Sequence, residues 1–159
     1  MAYVAISGPG SATDAERDAA RAAGRWAADH RHVVVGGGLG GVMEAAALGA
    51  SESGGVVVGL LPGGDRAAAN PYVTVAIPTG MGEMRNALLV RAADVVLCIG
   101  GSWGTLSELA LAVRTGVPVV TLGTWPLTDP LPPGMPEAPN LTTASTLEDA
   151  LDAVAAALR

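Results

Sequence analysis

Apolar residues in this chain come in short, valine-rich runs, most of them followed by glycine and then by a segment with helical spacing. Such runs are typical of strands that are buried on both faces of a parallel sheet. Six strands are predicted from them, at residues 3–7, 32–35, 56–61, 73–77, 95–99 and 117–122. Helices are predicted to begin near residue 13, to end near residue 51, to span about 81–92 and 105–114, and to close the chain.

The alternation of strands and helices indicates right-handed βαβ units. A length of 159 residues suits one domain. We therefore predict a single doubly wound α/β domain over residues 1–159, with a mainly parallel sheet of six to seven strands and helices on both faces. Six prolines between Pro126 and Pro139 predict a structured but nonregular surface segment or lid.

Three predicted helix starts carry the spacing of a capping box, in which a Ser or Thr side chain and a Glu three residues later satisfy backbone N–H groups reciprocally. The pairs are Thr13 with Glu16, Thr105 with Glu108, and Ser145 with Glu148. Glu108 is therefore open to two interpretations, as a helix cap or as a chemical group of the site.

Composition excludes several classes of function. All nine basic residues are Arg, so a Walker-type phosphate loop and an internal Schiff base with pyridoxal phosphate are both excluded. A net charge of −6 argues against binding nucleic acid or anionic membranes without specificity. The single Cys98, in a predicted buried strand, suits a reducing compartment, and no apolar run is long enough to cross a bilayer. A cytoplasmic protein is expected, and no metal site is predicted from His30 and His32.

Glycine turns follow four of the predicted strands, at residues 8–10, 36–41, 62–64 and 100–104. Because ligands of parallel sheets bind beyond the carboxyl ends of the strands, these turns predict a binding edge. The last turn opens a helix, whose N-terminal N–H groups suit a phosphate. Gly36, Gly38 and Gly41 match G-x-G-x-x-G, but the next strand ends without the acidic residue that a dinucleotide fold requires, so NAD binding is not predicted.

Arg85 lies in the early part of a predicted helix at the same edge. Its guanidinium suits a phosphate or a ribose hydroxyl, although a solvated or Glu-paired arginine is the ordinary alternative. Trp103 in the last glycine turn has two interpretations as well. It stacks on a ring of the ligand, or it packs under its own loop.

The chain resembles the Lonely guy (LOG) superfamily over nearly its whole length. The resemblance is carried by Gly36-Gly37-Gly38 with Gly40, by Arg85, and by GGSWGTLSE at residues 100–108. It implies a Rossmann-like fold in a homodimer or larger homo-oligomer, and hydrolysis of the N-glycosidic bond of nucleoside 5′-monophosphates. Arg85 and Glu108 are then the catalytic pair, and no cofactor is required. The implied ligand contacts are Ser7, Gly8, Gly37, Gly38, Met81, Asn86, Gly100, Gly101, Ser102, Trp103, Gly104 and Thr105.

Two positions differ from the signature PGGxGTxxE and the preceding M-x-x-R-K of that superfamily. Ile99 stands where the signature has Pro, and Asn86 stands where it has Lys. In both respects the chain is more similar to the subgroup of molybdenum cofactor carriers, which are described as binding the cofactor through its phosphate. Two hypotheses follow, a phosphoribohydrolase or a carrier that binds a nucleotide or molybdopterin without turnover. Without any Lys in the chain, the label of lysine decarboxylase given to some LOG relatives does not apply.

Overall fold

A computed structural model describes residues 1–125 and 137–159, which form seven parallel strands and five α-helices. The strands are β1 (Tyr3–Ser7), β2 (Val33–Gly36), β3 (Val57–Leu61), β4 (Val75–Pro78), β5 (Val95–Ile99), β6 (Val119–Leu122) and β7 (Leu141–Ala144). The helices are α1 (Asp14–Asp29), α2 (Val42–Glu52), α3 (Arg85–Ala92), α4 (Trp103–Thr115) and α5 (Leu147–Ala157). Short 3₁₀ turns occur at Arg66–Ala68 and Gly82–Met84.

The sheet has the order β4-β3-β2-β1-β5-β6-β7, with all neighbours parallel. The chain winds outward from β1 in one direction and then returns to start the other half at β5. The strand order therefore reverses between β1 and β5, where Ser7 pairs with Cys98. In sheets of this kind a crevice for ligands opens at that reversal, beyond the carboxyl ends of the strands.

Alternate residues of each strand pack against opposite helix layers. Val4 and Ile6 of β1 belong to the core with α1, α2 and α5, whereas Ala5 between them belongs to the core with α3 and α4. All three side chains are buried. The predicted fold class is confirmed, a Rossmann-like α/β sheet with helices on both faces.

Helices α1 and α2 approach each other at two glycines. A Cβ atom on Gly24 would lie 2.0 Å from the carbonyl oxygen of Ala46, and one on Gly49 would lie 1.9 Å from that of Arg21. Both contacts are with backbone, so no side-chain movement can relieve them. The close packing of this helix pair therefore depends on two missing methyl groups.

An ion-pair network joins the exposed surfaces of the same helices. Glu52 accepts hydrogen bonds from both Arg21 and Arg25, at 2.7 Å for the bond from Arg25. The hydrogen bonds from Arg21 and then Arg25 lower the pKa of Glu52 to about 2.

Replacing Glu52 with Gln should weaken part of the acid sensitivity of this protein. Since the folded pKa lies below the unfolded value, the stabilisation is present above the unfolded pKa of about 4.3 and is lost as the pH falls toward about 2. Urea unfolding of wild type and E52Q should therefore differ at pH 6 and converge near pH 2, with a smaller difference in high salt. A constant difference across this range would contradict the assignment.

Most predicted strands and helices are found with ends shifted by one or two residues. The capping box of Thr13 and Glu16 is confirmed. Helix α4 ends at Gly116, which has φ +76°. Helix α3 begins at Arg85 rather than Met81, because a 3₁₀ turn precedes it. The predicted box of Ser145 with Glu148 is wrong, since Thr146 caps α5 and accepts from the N–H of Asp149 at 3.1 Å.

Two further predictions concern the C-terminal half. Strand β7 was not assigned a position from the sequence, although a sheet of six to seven strands was expected. Most of the segment between Pro126 and Pro139, predicted as a nonregular segment or lid, lies outside the described residues.

Candidate functional site

Glycines bring the loops after β1, β2 and β5 into contact at the carboxyl edge of the sheet. A Cβ atom on Gly8 would lie 2.5 Å from the carbonyl oxygen of Ile99. One on Gly41, which has φ +68°, would lie 2.2 Å from the carbonyl oxygen of Pro9. These loops therefore form one packed surface beside the reversal of strand order. The turn at residues 62–64 lies at the same edge but toward β4, where Gly63 accepts from the N–H of Gly80 at 3.0 Å.

Helix α4 begins at Trp103, earlier than predicted, because Ser102 is its N-terminal cap. The Oγ of Ser102 accepts from the N–H of Thr105 at 3.2 Å and lies 2.9 Å from the Oγ1 of Thr105. The predicted capping box of Thr105 with Glu108 is therefore wrong. Among the described residues, no acceptor faces the N–H groups of Gly101, Ser102, Trp103 and Gly104.

Replacing Ser102 with Ala should lower the free energy of unfolding by about 1 kcal/mol, since it removes the only side-chain cap of α4. Asp in place of Ser102 retains a capping oxygen and should restore most of this loss. Ser11→Ala, at an exposed loop position, is the matched control. Equal stability of S102A and S11A in urea unfolding would show that the cap contributes nothing.

Glu108 does not cap α4 and instead pairs with Arg85 in a buried polar cluster. The Nη1 of Arg85 lies 3.2 Å from the Oε1 of Glu108, and Ser7 donates to the Oε2 of Glu108. Arg85 also donates to the Oδ1 of Asn86 at 2.9 Å, and Asn86 donates to the Oγ of Ser107 at 2.8 Å. We call these five residues the Arg85–Glu108 cluster.

The two charged residues of the cluster are deeply buried, Arg85 at 8% exposure and Glu108 at 6%. Burial raises the pKa of Glu108, and the hydrogen bond from Ser7 and the charge of Arg85 only partly oppose this. Burial, reinforced by the charge of Glu108, also raises the pKa of the Cys98 thiol. The interpretation of Arg85 as a solvated side chain is excluded, whereas its pairing with a Glu is confirmed.

Gly37 of the β2 loop allows the cluster to form. A Cβ atom there would lie 2.5 Å from the Nη2 of Arg85 and 2.6 Å from the sulfur of Met43. The guanidinium therefore lies directly against the glycine loop. Its Nε is buried and has no hydrogen-bond acceptor among residues 1–125 and 137–159.

The predicted contact residues divide into three groups. Ser7, Asn86 and Thr105 are buried and lie in or beside the cluster and the helix cap. Met81 and Trp103 are exposed instead. Predicted positions that lie in the glycine loops at this edge are Gly8, Gly37, Gly38, Gly100, Gly101, Ser102 and Gly104.

Two further residues, Glu16 and Trp125, lie at this edge, and the sequence did not indicate them as parts of the site. Glu16 was assigned only to a helix cap, but its Oε1 lies 2.0 Å from the position of a Cβ on Gly100. Trp125 follows β6, and its ring atoms lie 3.6–3.8 Å from the position of a Cβ on Gly101. The sequence signal that could have found both was their order in the chain, since Glu16 lies in the first turn of the helix after β1 and Trp125 lies just after β6. These two strands flank β5.

These features define a Rossmann-like α/β protein with a buried polar cluster and glycine loops at the point where strand order reverses. No helix among the described residues is long and apolar enough to cross a membrane. The chain belongs to the SLOG cluster4 family, whose model matches residues 1–151. This family membership places it in the LOG-type superfamily that the glycine loops and Arg85 indicated.

Two solved structures are similar over nearly their entire length. The molybdenum cofactor binding protein of Rippkaea orientalis is 31% identical with a TM-score of 0.89, covering 99% of this chain and 98% of that one. The molybdenum cofactor carrier protein of Chlamydomonas reinhardtii is 30% identical with a TM-score of 0.88, covering 99% of both chains. An uncharacterized protein of Archaeoglobus fulgidus is 38% identical over 122 residues, which are 77% of this chain and 80% of that protein.

Proposed function

We propose that this protein binds the molybdenum cofactor, a phosphorylated pterin, at the carboxyl edge of its sheet and carries it without chemical turnover. The observation that carries the proposal is the similarity, over 98–99% of each chain, to proteins described as binding or carrying that cofactor. The cofactor is the cargo of the protein here, so no chemistry of the metal enters the argument.

The residues of the site fit a phosphate group. Four N–H groups, from Gly101 to Gly104, lie at the positive end of the α4 dipole without an acceptor in the described part of the chain. The chain has no Lys, so backbone N–H groups rather than a flexible ammonium would hold the phosphate.

The burial of Arg85 and Glu108 supports binding rather than hydrolysis. A carboxylate that stabilises charge on a ribose must contact the sugar. Here Glu108 is 6% exposed, and its two oxygens accept hydrogen bonds from Arg85 and Ser7. We infer that the pair holds the loops in place and does not act on a substrate.

Binding is tested by mixing purified protein with molybdenum cofactor, separating them by gel filtration and measuring molybdenum in the protein fraction. Gly101 is a suitable position for a variant, because the three atoms nearest to a Cβ there belong to the Trp125 ring, at 3.6–3.8 Å, which is ordinary van der Waals contact. G101D should weaken binding about tenfold, since it places a negative charge beside the phosphate. G101N has the same shape without the charge and should bind nearly as wild type does.

Hydrolysis is tested in parallel by incubating wild type and E108Q with AMP and measuring free adenine. No adenine is expected from either protein. Release by wild type that is absent from E108Q would replace the carrier proposal with the phosphoribohydrolase hypothesis. Equal molybdenum retention by G101D and G101N would contradict the phosphate site.

We also propose that α3 forms a contact between two copies of this chain. Met84, which immediately precedes α3, is 71% exposed, and Leu88 of α3 is 42% exposed. Together with the exposed Met81 they form an apolar surface at the start of this helix. Light scattering should give the mass of a dimer for wild type. M84E combined with L88E should give a monomer, whereas a dimer in both would move the contact elsewhere.

A further inference from the structure

The N-terminus of α4 carries an exposed pair of tryptophans. Trp103 is 82% exposed, although it is the first residue of the helix and one of only three tryptophans in the chain. Its ring centroid lies 5.6 Å from that of Trp125, with the ring planes at 39°. A tryptophan so exposed is unusual in a folded protein, where this side chain normally buries most of its surface.

The pair lies directly beside the unpartnered N–H groups. Trp125 covers Gly101, with ring atoms 3.6–3.8 Å from the position of its absent Cβ. Trp103 contributes one of the four N–H groups itself. An aromatic surface and an anion site are therefore adjacent, and a molecule bound by its phosphate at Gly101 to Gly104 would have these rings within reach.

We propose that Trp103 and Trp125 form a stacking platform for the planar heterocycle of the ligand, whose phosphate binds at the start of α4. This inference rests on the proposed function and deepens it, because it identifies the element that selects a fused, planar ring. Phosphate binding alone does not distinguish among phosphorylated compounds. Stacking does so, since a sugar phosphate or inorganic phosphate has no aromatic face to offer.

The test uses tryptophan emission in a W26F background, which leaves only the two platform residues as fluorophores. Trp26 packs near His30 and His32, away from the site, so its removal does not disturb the platform. The probes are molybdenum cofactor, AMP and inorganic phosphate. Both ring-containing probes should quench the emission, whereas inorganic phosphate should leave it nearly unchanged.

Affinities of the W103A, W103F and W125A variants complete the test. W103A and W125A should weaken binding of the cofactor about tenfold and leave that of inorganic phosphate unchanged, whereas W103F should stay within about threefold of wild type. Because Trp103 is so exposed, W103A should retain the fold, which circular dichroism checks.

The outcomes separate the platform from the proposed function. If W103A and W125A bind the cofactor as wild type does, the platform is overturned and the carrier function stands. If wild type binds AMP but not the cofactor, and W103A weakens binding of AMP but not of inorganic phosphate, the platform stands and the carrier function fails. If neither ring-containing probe changes the emission, the platform is overturned. It is also overturned if W103A changes the mass of the assembly in light scattering but leaves binding of both ring-containing probes unchanged.

Discussion

Replacing Glu108 with Ala is expected to lower the free energy of unfolding by about 3–5 kcal/mol, because it leaves the charge of Arg85 buried without its partner. Arg85 lies 3.2 Å from Glu108 and is 8% exposed. A guanidinium does not lose its proton at any pH at which a protein stays folded. The free-energy cost of burying the unpaired charge therefore cannot be avoided by deprotonation. E108Q is expected to be milder, since its amide can still pair with both Ser7 and Arg85.

The opposite replacement, Arg85 with Met, is expected to behave differently because a carboxyl can take up a proton. Burial already raises the pKa of Glu108, and loss of Arg85 removes a charge that opposes this. A folded pKa above the unfolded one means that stability is greatest below the unfolded pKa and is lost as the pH rises through the folded pKa. R85M should therefore lose more stability at pH 8 than at pH 5.

Urea unfolding of the two single variants and of R85M/E108L at both pH values tests this asymmetry. The double variant should be more stable than E108A at pH 8, since it leaves no buried charge unpaired. An R85M that loses the same stability at both pH values would show that Glu108 stays in one protonation state.

Replacing Gly24 or Gly49 with Ala is the second change with a large expected effect. Each added Cβ would lie 2.0 Å or less from a backbone oxygen of the facing helix, so α1 and α2 must move apart. Overpacking of this kind costs about 1–3 kcal/mol. Alanine favours a helix over glycine by about 1 kcal/mol, so the net loss should be up to about 2 kcal/mol for each variant.

Gly104→Ala is the matched control, because Gly104 is also helical but its Cβ would lie 3.7 Å from the Oγ of Ser102. G104A should keep or slightly increase the stability of wild type in the same urea unfolding experiment. If G24A and G49A are as stable as G104A, α1 and α2 do not depend on these two glycines for their close packing.

The strands and the edge at which the glycine loops lie could be predicted from the sequence because their signals are local. Valine-rich runs marked β1, β2, β3 and β5, and the glycines that follow them marked their carboxyl ends. Strand β7 carries no such run, since its sequence LTTA has two exposed threonines at the edge of the sheet. Its place depends on pairing with β6, a contact between distant parts of the chain.

The start of α4 shows why a helix cap could not be predicted with the same success. Ser102 and Thr105 are three residues apart, and either side chain is suited to cap a helix. The glycines before them allow the helix to start at either position, and in the structure Ser102 is the cap. Glu108 therefore does not cap the helix but pairs with Arg85 in the buried cluster.

The sequence by itself determined the α/β class, the edge of the sheet at which the glycine loops lie, and the residue types available there. Hydrophobic runs and glycines are visible within short segments, and the absence of Lys is visible from the composition. None of these properties depends on a contact between distant residues. Only the tertiary structure decided that Arg85 pairs with Glu108 in a buried site, and that Glu16 and Trp125 lie against the β5 loop. The sheet order brings these residues together from separate segments, and burial within the fold raises the pKa of Glu108.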